Sequence, residues 1–123
     1  MNSTPQKNPA ENAWLSLSGA SPAQRREALY LCLASVPAGH VVSYGQLAAM
    51  AGLGRAARWA ARTLSQLPEG SSLPWHRVIT ASGKLGLSPD SAAGQEQRQR
   101  LRAEGLLLNG DRVDMHLHGW RHP

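Results

Sequence analysis

The chain has 123 residues, 41% of them hydrophobic, which suits a single domain around one modest core. Thirteen Lys and Arg stand against eight Asp and Glu, and twelve of the thirteen lie after residue 22; this positive field fits a polyanionic partner, or simply a solvated basic surface. The single cysteine, Cys32, excludes an intramolecular disulfide framework and a cysteine-based zinc cluster, and without a long apolar run or a basic-then-apolar start the chain is expected to be soluble and cytoplasmic, with no membrane partner.

Residues 1–12 are polar and are expected to form a disordered tail, leaving 13–123 as the folded domain. Ser21-Pro22 is a helix start, with Ser as N-cap and Pro at the first helical position. Ala28, Leu29, Leu31, Cys32 and Val36 then follow at helical spacing as the core face, and the Pro37-Ala38-Gly39 turn stops the helix near Ser35. Val41-Val42 reads as a short extended link into Ser43, which can cap a second helix through Leu47, Ala48 and Met50 that Gly52 closes.

Only Leu53 and Gly54 separate this helix from a third, Arg55 to about Gln66, so the pair predicts a helix-turn-helix. Pro68-Glu69-Gly70 ends the third helix. Arg77 to Thr80, followed by the turn Ala81 to Lys84, reads as a short hairpin or wing. Ser91 or Asp90 can cap a last helix reaching Leu101 to Glu104, and the Asn109-Gly110 turn between Leu106-Leu107-Leu108 and Val113 to Met115 predicts a second small hairpin. The expected fold class is mainly α with small β elements.

Arg55, Arg58 and Arg62 share one face of the third helix, and Ala56, Ala57, Ala60 and Ala61 keep that helix slim. Such a face can approach a DNA groove and hold phosphates, or insert a guanidinium plane among bases, but an ordinary solvated basic face has the same composition. Tyr44 is equally open at this level, as a core aromatic or as a binding residue.

The segment Pro74-Trp75-His76-Arg77-Val78-Ile79, placed after Tyr44-Gly45-Gln46-Leu47-Ala48 and Gly54-Arg55-Ala56-Ala57-Arg58, decides between these readings. It resembles the DNA-binding domain of the O6-alkylguanine-DNA alkyltransferases, whose signature is Pro-Cys-His-Arg followed by two aliphatic residues, and its Trp-for-Cys form resembles the alkyltransferase-like proteins. The resemblance runs from about residue 22 to residue 115. It implies a winged helix-turn-helix that enters the minor groove of double-stranded DNA and rotates an O6-alkylguanine into a pocket.

By the same resemblance, Tyr44 lies beside the target nucleotide's phosphate and Arg58 is the finger that fills the vacated stack. Extruding a base costs a few kcal/mol, part of which an inserted guanidinium recovers. In the transferases the cysteine attacks the alkyl carbon as a thiolate, supported by residues that match His76, Arg77 and Glu104. Trp75 offers no comparable nucleophile near neutral pH, so alkyl transfer is expected to be absent, with Trp75 instead presenting a flat apolar face to the base or simply filling space. Cys32, between two leucines on a core-facing helix, reads as an inert thiol.

Leu85 to Asp90 matches the loop that lids the pocket, placing Leu87 and Ser88 in its wall. Ser88-Pro89 departs from the Tyr-Ser pair usual in active members, and Leu67 stands where many have a bracing Asn; both departures favour a binder over a transferase. The histidines 116, 118 and 122 lack an acidic or cysteine partner at ligand spacing, so neither a metal nor another cofactor is expected. Trp14, Trp59 and Trp120 read as packing residues.

Together these features predict a monomeric sensor of O6-alkylguanine that makes no covalent change and hands the lesion to nucleotide excision repair damage-recognition proteins. A winged-helix transcription regulator is the main rival, but it leaves Tyr44 and the PWHRVI segment unexplained. A residual transferase is the third reading.

Overall fold

The computed structural model describes residues 19–121; the tail 1–12, Trp14 and His122 lie outside the described residues. Ser21 opens the first helix, α1 (Pro22–Ala34), through a capping box: its hydroxyl accepts from the Gln24 amide while the Gln24 side chain accepts from the Ser21 amide. Leu29 and Leu33, one turn apart, form the buried stripe. Leu31, expected on the core face, is 67% exposed because it lies half a turn away from that stripe.

Strand β1 (Val42–Ser43) pairs in parallel with β2 (Val78–Ile79), Val42 opposite Val78 and Ser43 opposite Ile79. Side chains of successive strand residues point to opposite faces, and here that alternation separates two cores. Val42 and Val78 join Leu29, Leu33, Leu47 and Leu64 on one side. Val41 and Ile79 join Leu85, Leu101, Leu106 and Val113 on the other.

Helix α2 (Tyr44–Met50) begins on Ser43, whose hydroxyl accepts from the Gln46 amide. It ends in a Schellman turn: the Leu53 amide donates to the Ala48 carbonyl and the Gly52 amide to the Ala49 carbonyl, which requires the left-handed conformation that Gly52 adopts at φ +80°. Helix α3 (Ala57–Ser65) completes the helix-turn-helix, packed against α2. Its start is two residues later than expected. Gly54 at φ +68° and Ala56 at φ −129°, ψ 39° are non-helical, so Arg55 lies in the turn and not on the helix.

After α3 the chain passes through a short 3-10 turn, Trp75–Arg77, into β2. The turn from Thr80 to Lys84 forms as expected, closed by the Lys84 carbonyl and the Thr80 amide. It is not a free-standing hairpin, however, because β2 pairs with β1 and Lys84 bridges to Arg112. Helix α4 (Ala92–Ala103), capped by Ser91, lies against the Trp75–Arg77 turn. The second hairpin joins β3 (Leu108–Asn109) to β4 (Arg112–Val113) with Asn109 opposite Arg112, so the two-residue turn is Gly110-Asp111, one position later than expected. Met115, expected in its second arm, instead opens a one-turn helix, α5 (Met115–His118), capped by Asp114. No helix among the described residues is long and apolar enough to cross a membrane.

Helix α4 carries one buried glycine, Gly94, on which the preceding loop rests: a Cβ there would lie 2.0 Å from the Ser88 carbonyl oxygen. Gly94→Ala must therefore push the 86–90 loop off the helix. We expect it to destabilise the fold by about 1–3 kcal/mol in urea denaturation, whereas Ala93→Gly at the exposed neighbouring position costs no more than about 1 kcal/mol.

Candidate nucleic-acid interface

The three candidate arginines converge although Arg55 precedes α3. Arg58 and Arg62 are successive-turn neighbours on α3, and with Arg55 they border an open groove of about 840 Å³ between α2 and α3. Its floor is built from small residues, Gly45 and Ala49 of α2 and Ala56 and Ala57 at the start of α3, so a ligand can approach the backbone closely. All three arginines are exposed and make no ion pair among the described residues. Trp59 forms one wall of the groove and also packs on the first core.

The residues expected around the lesion fall into three sets. His76, buried, and Arg77 and Glu104, partly buried, form one cluster. The Glu104 carboxylate accepts from His76 Nε2 at 2.7 Å, from Arg77 Nη2 at 2.7 Å and Nε at 3.0 Å, and from the Gly39 amide at 3.0 Å. Arg77 also donates from Nη1 to the Val36 carbonyl at 2.7 Å. The cluster thus ties the end of α4 to the 3-10 turn and to the loop after α1.

Burial alone would raise the Glu104 carboxyl, but the hydrogen bonds from Arg77, His76 and Gly39 outweigh it and hold the group down at about 2, from an ordinary 4.5. His76 is pushed down by burial, against the pull of Glu104; it is therefore neutral at pH 7, with the proton on Nε2 donated to the carboxylate. Its Nδ1 is buried without a protein partner among the described residues. Gln97 of α4, fully buried, donates to the His76 and Val78 carbonyls and so fixes the backbone on both sides of Arg77.

Trp75, partly buried on the same turn, borders this cluster at His76. Its ring meets His76 edge-on, with centroids 6.2 Å apart at 89°. It forms part of the wall of a cavity of about 560 Å³ between the end of α3, the 68–71 loop and α4, shared with Leu64, Leu67, Ala92, Glu96 and Arg100. The third set lies elsewhere: Tyr44 packs against the first core, half-buried, with burial pushing its phenol up. The loop of Gly86, Leu87 and Ser88 approaches it, since a Cβ on Gly86 would lie 3.9 Å from Tyr44 Cε2. Leu87 is half-buried and Ser88 exposed, and neither borders the Trp75 cavity.

Cys32 packs partly buried against the first core on α1, and burial raises its thiol. Trp120 packs against the same core, with its carbonyl accepting from Gln46 Nε2. His118 Nε2 accepts from the Leu107 amide, and no group of three or more His, Cys, Asp or Glu side chains able to hold a metal occurs among the described residues. Gly39, Gln97 and Arg100 were not anticipated. Gln97, an uncharged polar residue three positions from Gly94 on one helix face, is the one of these with a visible signal.

Residues 24–106 match the 6-O-methylguanine DNA methyltransferase DNA-binding domain. The chain belongs to this family. The matched span contains every candidate residue from Tyr44 to Glu104, and the family's winged helix-turn-helix is the fold described above. Among similar proteins, the DNA base-flipping protein of Escherichia coli (strain K12) is 44% identical over 92 residues, 73% of this chain and 69% of that protein. Alkyltransferase-like protein 1 of Schizosaccharomyces pombe is 33% identical over 80 residues, 65% of this chain and 74% of that protein. The crystal structure of S. pombe Atl1 in complex with damaged DNA containing O6-carboxymethylguanine superposes with a TM-score of 0.78 at 25% identity, covering 84% of this chain and all of that one.

The Glu104 cluster makes a pH prediction. Both depressed groups act with the same sign: the stability they contribute is fully present above their unfolded values, 6.5 for His76 and 4.5 for Glu104, and is lost as pH falls through their lower folded values. Glu104→Gln should cost about 3 kcal/mol at pH 7, and denaturation at a series of pH values should show this gap closing below pH 4.5 as wild type approaches the variant. A gap independent of pH down to 2 would contradict the account.

Proposed function

We propose that this chain binds duplex DNA, rotates an O6-alkylated guanine out of the stack and holds it without transferring the alkyl group. The observation that carries this reading is an intact family scaffold around an unreactive residue. The His76–Arg77–Glu104 cluster is fully hydrogen-bonded through its carboxylate, yet the side chain it would serve is the indole of Trp75, at the wall of the cavity. An indole has no nucleophilic anion near neutral pH. Cys32 does not replace it, being packed against the first core on α1 with its thiol pKa raised by burial.

The binding half of the reading rests on the groove. Arg55, Arg58 and Arg62 stand over a floor of glycine and alanine, and three unpaired guanidiniums there suit phosphates and a vacated base stack. Tyr44 is assigned to the rotated nucleotide's phosphate and Arg58 to the gap it leaves. Leu87 and Ser88, on the loop that approaches Tyr44, are assigned to the lid. The E. coli relative is a DNA base-flipping protein and the S. pombe Atl1 crystal holds DNA with O6-carboxymethylguanine. With the alkyl group left in place, the lesion is passed by a monomer of this chain to nucleotide excision repair proteins.

Arg58→Ala tests the finger role against Arg62→Ala. Losing the stack filler should weaken binding to an O6-methylguanine duplex by about tenfold or more, roughly 1.4 kcal/mol, and weaken binding to unmodified DNA much less. Arg62→Ala, the loss of a phosphate contact, should lower both alike. Equal losses on damaged and undamaged DNA for Arg58→Ala would count against base rotation.

A further inference from the structure

One feature of the Trp75 cavity lies outside the family signature. Arg100, on α4, holds its guanidinium 5.5 Å from the centre of the Trp75 ring. Its Nη2 is paired at 2.5 Å with Oε2 of Glu96, one turn earlier on the same helix. Both side chains are over two-fifths exposed, and an exposed pair at this spacing adds little to the stability of a fold. What the pair does alter is the charge of the wall that a ligand in the cavity would meet.

That wall carries a single basic side chain, Arg100, and two acidic ones, Glu69 and Glu96. The guanidinium is already committed twice, to the Trp75 face and to the Glu96 carboxylate. An anionic substituent entering here finds no free cation and two carboxylates of its own sign. A neutral substituent meets the indole, Leu64, Leu67 and Ala92, an apolar surface that takes an alkyl or amide chain without separating a charge pair. The cavity, at about 560 Å³, is also larger than a methyl group needs, being of the size that holds a drug-sized ligand.

We infer that the Glu96–Arg100 pair sets the specificity of this cavity for the O6-substituent, admitting neutral chains and disfavouring anionic ones. Glu96 is the determinant: it neutralises Arg100, and without it the guanidinium over Trp75 becomes a receptor for a carboxylate. The inference rests on the proposed function and takes the Trp75 cavity as the place of the O6-substituent, with Tyr44, Leu87 and Ser88 outside its wall.

The test uses the full chain and four duplexes of one sequence, carrying guanine, O6-methylguanine, O6-carboxymethylguanine or O6-carbamoylmethylguanine. The last two match in size and differ in charge. Wild type should bind the carbamoylmethyl duplex about tenfold more tightly than the carboxymethyl one. Glu96→Gln should erase or invert that ratio, and Glu96→Asp should retain its direction.

The ratio is the proper readout because removing an acidic residue strengthens binding to every DNA in common. If wild type distinguishes all three adducts from guanine but Glu96→Gln leaves the ratio unchanged, the inference is overturned and the sensor reading stands. If the four duplexes bind alike, both fall.

Discussion

The Glu104 carboxylate is the point on which the rest of the structure converges. It closes helix α4 as its C-cap residue and receives hydrogen bonds from two side chains of the Trp75–Arg77 turn and from the Gly39 amide. A carboxylate 15% exposed is costly unless its lone pairs are filled, and here the donors come from two distant parts of the chain, the Trp75–Arg77 turn and Gly39. The direction of the Trp75 ring is set by this arrangement, because His76 and Arg77 are anchored inward and the residue before them must face the other way, toward the cavity.

In an alkyltransferase the same arrangement would support a nucleophile; in the function proposed here it supports a surface, the indole of Trp75. The basic groove runs along α3 from Arg55 past Arg58 to Arg62, and the Trp75 cavity adjoins the C-terminal end of the same helix at Leu64, with Leu67 just beyond it. Helix α3 therefore borders both the arginines assigned to the DNA stack and the cavity that contains Trp75. Helix α3 is itself packed against the first core by Ala60 and Leu64, and Thr63 is buried with them.

Much of this was legible in the sequence where local chemistry decides. Ser21, Ser43 and Ser91 each cap the helix expected of them, because a hydroxyl before a helical run satisfies free amides whatever lies around it. The motif residues His76, Arg77 and Glu104 also meet as the resemblance implied. What the sequence concealed depends on distant partners. Lys84 and β2 find their pairs in Arg112 and β1, not in each other. Arg55 leaves the helix because Gly54 takes a left-handed turn, and Arg100 gains meaning only from Trp75, 25 positions earlier and on another element. Leu31 shows the opposite error, an apolar residue given to the core when helical geometry points it outward.

The central claim is recognition without reaction, and competition binding of the purified chain to matched guanine and O6-methylguanine duplexes tests it most directly when protein and DNA are both weighed by mass spectrometry afterwards. The account predicts selective binding of the damaged duplex with both masses unchanged. A methyl group gained by the protein, or equal binding of the two duplexes, would contradict it.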